Sequence, residues 1–567
     1  MNHSYLTSIL MAAGFILLFV IWILHENRKN QKQLLQKIRN AYGKPSQRRY
    51  EPGDLDKISH YYKRIKEDRF YIDDITWNDL DLDSMYMMVN QTISSPGEDV
   101  LYSMMRLPVF SKEEADKRED LIQFFAASQQ KRERLLQSLA KISKNGAGSL
   151  SDTVLALKDA PRVHTGIHAV LLLVLLASLV LLPFSPVYGF FFLLIIMITN
   201  VVVYYAGRDR KLIEAYLICF SQLIRMLSAA DELEPVDWPE IKEQMDGIRE
   251  GRKAFHKIRK RSVFITGSNG AGDGLQVVMD YVRMLTHVDI LVYNSLLDQV
   301  QGKTGQILQM IQCIGELDAA ISIASFREML SYWCRPEFLP YTTAQPVSLE
   351  AADLYHPLLT EAVANSIQAK GGTLVTGSNA SGKSTFLKNV ALNSILAQTL
   401  LTCTCSCYKA PFLKVMTSMA LRDDLSGGES YFIVEIKSLK RILDEGKKEV
   451  PLLCIIDEVL RGTNTIERIA ASSQILNALD KKWILPFAAT HDIELSYILN
   501  GVYENYHFQE EVREHEVVFD YILRKGRATT RNAIRLLDML GYDPKIVKAA
   551  GMAAENFERT GVWRTIN

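Results

Sequence analysis

The sequence has no net charge: lysine plus arginine is 65 and aspartate plus glutamate is 65. That balance excludes a global electrostatic pull toward nucleic acid, so any such contact must be local. Cysteine is scarce, seven in 567 residues, an odd number with no paired spacing. This argues against a disulfide scaffold and fits a reducing compartment. No tandem repeat is visible. With 48% hydrophobic and 23% charged residues, a disordered or low-complexity protein is excluded and packed cores are expected. At about 150 residues per domain, the length suggests roughly three or four domains.

Three long apolar runs stand out: Leu6–Leu24, Ile167–Phe184 and Val187–Ala206. A helix needs about 20 apolar residues to cross a bilayer core. Ser185 and Pro186, flanked by Pro183, separate the second run from the third, which predicts a tight helical hairpin. Runs such as AVLLLVLLASLVLL and FFFLLIIM have no polar face, unlike an ordinary surface helix. Basic residues flank the runs on one side. None precedes Leu6, eight lie between Arg28 and Arg49, Arg162 precedes the hairpin, and Arg208, Arg210 and Lys211 follow it. The positive-inside rule then places 25–165 and 207–567 in the cytoplasm, with the N-terminus outside and three crossings of the cell membrane. The first run lacks a basic n-region and an A-x-A-like site, so a retained anchor is expected rather than a cleaved signal peptide.

The predicted organisation is a transmembrane anchor at 1–24, a charged juxtamembrane helix and linker at 25–75, and a helical block at 76–165. The membrane hairpin at 166–206, a second helical block at 207–345 and a C-terminal domain at 346–567 follow. From about residue 371 the character changes. TLVTG, KVMTSM, PLLCIIDEV and ILPFAAT are short apolar runs alternating with helical stretches, the pattern of a parallel sheet covered by helices.

The chemistry concentrates in residues 377–491. Gly377, Ser378, Asn379, Ala380, Ser381, Gly382, Lys383 and Ser384 match G-x-x-x-x-G-K-[ST] between an apolar strand and a helix opening at Thr385. Glycines let backbone N–H groups close around phosphate oxygens, and the helix N-terminus favours the anion. Lys383 would reach the β- and γ-phosphates, and Ser384 would bind Mg²⁺. Leu452–Ile456 is an apolar strand ending in Asp457 and Glu458. Asp457 would hold the Mg²⁺ shell and Glu458 would orient or deprotonate the attacking water. His491, after Trp483–Ala489, is placed to sense the γ-phosphate. Leu425-Ser426-Gly427-Gly428-Glu429-Ser430 precedes a helix from Tyr431. In ATPases of the ABC type such a helix N-terminus caps the γ-phosphate bound by the other subunit, which implies a homodimer with Ser430 acting in trans.

The C-terminal half resembles the ATPase domain of the MutS mismatch-repair family. The matching stretches are Tyr355-His356-Pro357-Leu358-Leu359, Val363-Ala364-Asn365, TGSNASGKSTFLKNVAL, RDDLSGGESYFIVEI, IIDEVLRGTNT and ATHDIEL. Ser430, Phe432 and Glu435 reproduce the family's S-x-F-x-x-E, and Arg461-Gly462-Thr463 follows the carboxylates as it does there. GRATTRNAIRLLDMLGYDPKIVKAA looks like the closing helices that support dimerisation. Residues 80–110 and 314–338 look like the start and end of the family's lever. The resemblance implies an all-α lever core, a C-terminal α/β P-loop ATPase domain, ATP and Mg²⁺ as ligands, and a nucleotide site that includes Thr385 and His356. No structural metal is expected.

Departures from the family bear on function. No stretch matches the mismatch-reading domain with its Phe-x-Glu wedge, the connector or the DNA clamp; 25–75 is too short for the reader, and the hairpin occupies the clamp's place. The usual Pro-Asn-Met-Gly is Ser378-Asn379-Ala380-Ser381, Tyr431 replaces a threonine, and Glu467-Arg468 replaces Asp-Gly. Nucleotide binding should survive these changes; mismatch recognition by the usual route should not.

Three weaker features remain. Thr266–Gly274 echoes the phosphate loop, but Asp273 stands where lysine would be and would repel phosphate. Residues 249–261 carry seven basic side chains. They form a solvated helix face, a DNA backbone track or an attraction to anionic lipid. Cys403, Cys405 and Cys407 share one face of a strand, but zinc motifs need a second pair elsewhere, so buried small residues are expected. The whole reads as a membrane-anchored MutS-type ATPase with DNA binding implied by the resemblance. The alternative is an ATP-switched membrane scaffold or partner-binding module without a DNA role. A transporter ranks third, because the crossings hold no polar intramembrane path.

Overall fold

The computed structural model describes residues 3–144, 151–152, 156–255, 273–378, 381–419, 431–460, 462–512, 517–528 and, with gaps, 534–565. Two units emerge. One comprises 1–67, 86–104 and 117–329; the other comprises 68–85, 105–116 and 330–567.

Through residue 329 the described chain is helical. In order come α1 (His3–Ala41), α2 (Asp54–Ile65), α3 (Asp74–Asp79), α4 (Leu82–Val89), α5 (Ser95–Arg106), α6 (Lys112–Ala127) and α7 (Gln129–Leu139). Next are α8 (Gly166–Leu181), α9 (Pro186–Ala206), α10 (Arg208–Leu233), α11 (Lys242–Ala254), α12 (Asp273–Thr286), α13 (Val288–Val300) and α14 (Thr304–Met329). Within the first unit α11 lies along α14, α7 packs against α1 and α10, and α10 meets α13.

Helix α1 runs unbroken from the first apolar run to Ala41, and Arg39 pairs with Glu133 of α7 at 2.7 Å. Residues 54–65, within the stretch expected to be a juxtamembrane helix and linker, form a helix that buries Ile58, Tyr61 and Tyr62. The three apolar side chains fall at helical spacing, and burying each stabilises by about 1.5–3 kcal/mol.

Three described helices have the length and hydropathy to cross a bilayer: 186–206, 211–233 and 304–329. Burial separates them. Only 22% of the first lies inside the protein, against 59% and 72% for the other two. Helix α14 is a core helix. Its Asp318 accepts hydrogen bonds from the backbone N–H of Ser94 at 2.9 Å and of Ile93 at 3.1 Å, tying down the start of α5. Its Arg327 forms a two-pronged, fully buried pair with Glu119 at 2.6 and 2.9 Å. Burial raises the Asp318 carboxyl above its ordinary range.

The hairpin formed by α8 and α9 behaves differently. Pro186 opens α9 where a missing N–H costs nothing. Val170, Leu173, Val180, Phe190, Ile195 and Val202 are all more than half exposed. Several polar side chains bond outward at its base. Asn200 Nδ2 donates to the Leu285 carbonyl at 2.8 Å. His168 Nδ1 meets His287 Nδ1 at 2.8 Å, and Tyr204 Oη donates to Asp289 at 2.8 Å. These bonds tether the hairpin base to α12 and α13.

The second unit is built on two sheets. β1 (Glu337–Phe338), β2 (Leu349–Leu354), β3 (Asn365–Ala369) and β5 (Cys407–Ala410) form one, in the order β1-β5-β2-β3. β4 (Gly372–Thr376), β6 (Lys414–Ser418), β7 (Leu452–Asp457), β8 (Ile484–Thr490), β9 (Tyr503–His507) and β12 (Arg524–Lys525) form the other. Its order is β12-β9-β4-β8-β7-β6, parallel except for β12. A small hairpin, β10 (Glu510–Val512) with β11 (Val517–Phe519), stands apart. The helices are α15 (Lys383–Thr399), α16 (Tyr431–Glu445), α17 (Thr465–Ala478), α18 (Ile493–Ile498) and α19 (Pro544–Thr560). β4, β7 and β8 are buried at every position, as expected for parallel strands covered on both faces. Residues 68–85 belong here because the Asp79 carboxylate accepts from Thr417 Oγ1 at 2.6 Å and the Met419 N–H at 3.1 Å. The expected block at 76–165 is thus divided between the units.

Candidate functional site

Strand register assembles the site. Thr376 lies opposite Thr490 in the β4–β8 pairing, and Asp457 lies opposite Ala489 in the β7–β8 pairing. The residues that follow these strand ends, Gly377, Glu458 and His491, therefore emerge together at the carboxyl edge of the sheet. That edge is where open parallel sheets bind ligands.

The loop after β4 depends on backbone that side chains resist. Gly377 has φ 147° and Gly382, which opens α15, has φ 105°. A Cβ on Gly377 would sit 2.9 Å from the Phe508 carbonyl oxygen, and one on Gly382 would sit 3.1 Å from the Tyr521 ring. Lys383 is buried, and its Nζ donates to the carbonyls of Gly377 at 2.8 Å and Ser378 at 2.6 Å. The Ser378 hydroxyl donates to Glu510. Asn365 holds the far wall: its side chain donates to the Tyr521 carbonyl at 2.9 Å and accepts from the Leu523 N–H at 2.7 Å.

A cavity of about 540 Å³ results. Ser381, Gly382, Lys383, Ser384 and Thr385 line it, together with Asp457 and Glu458. His356, Leu359, Val363, Phe508 and Tyr521 add apolar and aromatic surface to the lining, beside the polar Glu361, Asn365 and Asn389. His356 is pushed down to about 4, chiefly by burial and then by Lys388, so the imidazole is neutral at physiological pH. Its buried Nδ1 has no hydrogen-bond partner among the described residues.

The carboxylate corner is held in uncommon backbone. Glu458 and Leu460 adopt φ 59° and 58°, each costing on the order of 1 kcal/mol or more for a residue with a side chain. Two contacts maintain it. The Glu458 N–H donates to the Ala489 carbonyl at 3.0 Å, and Glu435 of α16 accepts from the Leu460 N–H. Phe432 of α16 packs on Gly462, 3.1 Å from where a Cβ would be. The S-x-F-x-x-E spacing thus joins α16 to the Asp-Glu corner within one chain. His491 Nδ1 lies 3.7 Å from Glu458 Oε2. That carboxylate holds the imidazole above its ordinary value, against a smaller opposing effect of burial. Arg468 of α17 grips Asp492 with two bonds, at 2.9 and 2.7 Å, and so fixes the turn that carries His491.

Residues 373–558 match the family model for MutS domain V. The C-terminal part of the chain is thus similar to MutS proteins. A DNA mismatch repair protein MutS of Leptospira interrogans is 28% identical over 299 residues, covering 50% of this chain and 34% of that protein. The namesake in Natronomonas pharaonis is 29% identical over 287 residues, 48% of this chain and 32% of that protein. That of Thermus thermophilus is 28% identical over 264 residues, 46% and 31% respectively. The chain thus spans about a third of the length of the curated relatives it matches.

The structure brings together Gly377, Ser378, Ser381, Gly382, Lys383, Ser384, Thr385, His356, Asp457, Glu458 and His491 of the predicted site. Asn379, Ala380 and Ser430 lie outside the described residues, as do Arg461, most of the Thr266–Gly274 loop, and Lys257–Arg261 of the basic segment. Sequence reasoning missed Phe508 and Tyr521, which reach the cavity from far along the chain and follow no spacing rule. It also gave no role to Glu435 or to the Arg468–Asp492 pair. Their signals were present, in a family spacing and in a departure from it. The three-sulfur cluster of Cys334, Cys403 and Cys405 escaped because Cys334 is remote in sequence.

Proposed function

We propose that this chain is a membrane-anchored ATPase whose two copies sandwich ATP. The observation that carries the reading is the single cavity lined by Lys383, Ser384, Asp457 and Glu458. The donor set fits a nucleotide with Mg²⁺: glycine backbone that a Cβ would obstruct, one buried amine, a hydroxyl and two carboxylates. Lys383 would exchange its loop carbonyls for phosphate oxygens. The neutral His356 and the apolar and aromatic lining suit a nucleobase. Ser384 and Asp457 would hold Mg²⁺, which neutralises phosphate charge when bound. Glu458 orients the attacking water and takes its proton, while His491 reads the γ-phosphate side of the corner. Ser430 of a second copy would cap the γ-phosphate, and α16, bonded to the Asp-Glu corner, would report that docking to the carboxylates.

The hairpin and the apolar part of α1 supply the anchor. Their exposed side chains would each forgo about 1.5–3 kcal/mol in water, and the basic flanks put the ATPase domain in the cytoplasm. The relatives' names point to duplex DNA as partner. The exposed hairpin favours a second reading, an ATP-switched scaffold for a membrane protein.

The test is ATP hydrolysis by the detergent-solubilised full chain, with and without duplex DNA, beside Glu458→Gln. Turnover absent from wild type would overturn the ATPase reading. Stimulation by DNA that vanishes at high salt supports the DNA partner; a rate indifferent to DNA supports the scaffold.

A further inference from the structure

Cys334 follows α14 by a few residues and pairs with Cys403 as an antiparallel bridge. The Cys334 N–H donates to the Cys403 carbonyl at 3.0 Å, and the Cys403 N–H returns a bond at 2.9 Å. Such mutually bonded residues stand about 5.5 Å apart and project to the same face. Cys405, two residues on from Cys403, follows a bend that brings its sulfur to the same place. All three sulfurs lie within 4.8 Å of one another, with Cys334 Sγ 3.5 Å from Cys405 Sγ. Cys403 and Cys405 are fully buried and Cys334 is half-buried.

Buried cysteines commonly act as small apolar side chains. Packing alone explains one or two in a core; it gives no reason for three sulfurs from two distant segments to converge. A cation held by thiolates sits about 2.3 Å from each, which sets sulfur separations near 3.8 Å. The cluster already has that scale. Cys407, which opens β5, is not among the three, and among the described residues no fourth histidine, cysteine or carboxylate joins them. The surroundings are firm. The Asn393 side chain of α15 accepts from the Thr404 N–H at 2.6 Å, and Tyr355 Oη donates to the Tyr332 carbonyl at 2.9 Å.

We propose that Cys334, Cys403 and Cys405 form a binding site for one thiophilic metal ion, of the Zn²⁺ or Cu⁺ class. Three sulfurs suit Cu⁺ alone or Zn²⁺ with a water in the fourth position. The site is distinct from the nucleotide cavity: none of the three cysteines lines it. It ties the segment entering the second unit to the stretch between α15 and β5. Binding releases the thiol protons and changes no oxidation state.

The experiment uses the full chain, purified under reducing conditions in detergent. One arm adds Zn²⁺, with Co²⁺ as its coloured stand-in; the other adds Cu⁺ against a chromogenic Cu⁺ chelator. The expected result is one ion per chain in one arm, with a sulfur-to-cobalt charge-transfer band if Zn²⁺ is the class. Binding should raise the melting temperature. Cys405→Ser and, separately, Cys334→Ala should lose the ion and the melting shift, while Cys313→Ser, remote from the cluster, keeps both. Cys334→Ala guards against misfolding, since that side chain is only half-buried. No binding by folded wild type in either arm, or binding unchanged in the Cys405→Ser protein, overturns the proposal. So does air oxidation to a Cys334–Cys405 disulfide in a protein that takes up neither metal.

Discussion

Lys383 and Glu458 show how single side chains are poised. The lysine amine is buried and donates to two loop carbonyls, so phosphate oxygens replace ready-made partners. Lys383→Ala should therefore abolish ATP binding, measured with a fluorescent nucleotide. Glu458→Gln keeps the shape and removes the base. It should leave nucleotide affinity near wild type and lower turnover by on the order of 10²–10³-fold. Equal loss of binding in both variants would show that Glu458 does not act on water. His491 offers a pH test. Its pKa is raised, first through Glu458, so the ion pair contributes below the ordinary histidine range and is lost as pH rises through the raised value. In nucleotide-free protein, His491 should titrate above about 6.5, and Glu458→Gln should bring it down, read by histidine NMR. An unmoved titration would separate the two residues.

Strands and helices decide which residues meet. β8 is the hub of the large sheet, pairing β4 on one side and β7 on the other. Phe487 on it is wholly buried. Phe487→Ala should cost about 3–5 kcal/mol and lower the denaturant midpoint of the second unit; a change under 1 kcal/mol would contradict the packing. Helix α17 begins at the Asn464 cap, whose side chain accepts from the Glu467 N–H at 3.0 Å, which aims Arg468 at Asp492. Arg468→Gly, which restores the residue type implied by the family resemblance, should leave ATP binding intact and slow turnover several-fold by freeing the His491 turn. Unchanged turnover would make the pair purely structural.

For the whole molecule, the deciding comparison is between apolar helices with and without cover. Helices 186–206 and 304–329 are both long and apolar enough to cross a bilayer, yet Asp318 and Arg327 of the second are satisfied inside the protein. The hairpin therefore should carry the anchoring. The full chain should resist alkaline extraction from membranes. In a variant whose native cysteines are replaced, a cysteine introduced at Ser185 should react with an impermeant maleimide added from outside intact cells. Labelling only after lysis would invert the topology.

Local pattern determined a good deal. The G-x-x-x-x-G-K-[ST] run, the apolar strand ending in Asp457-Glu458 and the uniformly apolar hairpin each report a short-range constraint: a backbone cradle, a buried strand end, a helix without a polar face. Such constraints act between near neighbours and are written in consecutive residues. What only the tertiary structure decided depends on distance in space. Register set Gly377, Glu458 and His491 side by side. Phe508 and Tyr521 closed the cavity wall, burial separated α14 from α9, and Cys334 reached Cys403 and Cys405. In each of these cases the partners are far apart in the chain, and the free energy that joins them comes from burial and hydrogen bonds made only once the sheets and helices have packed.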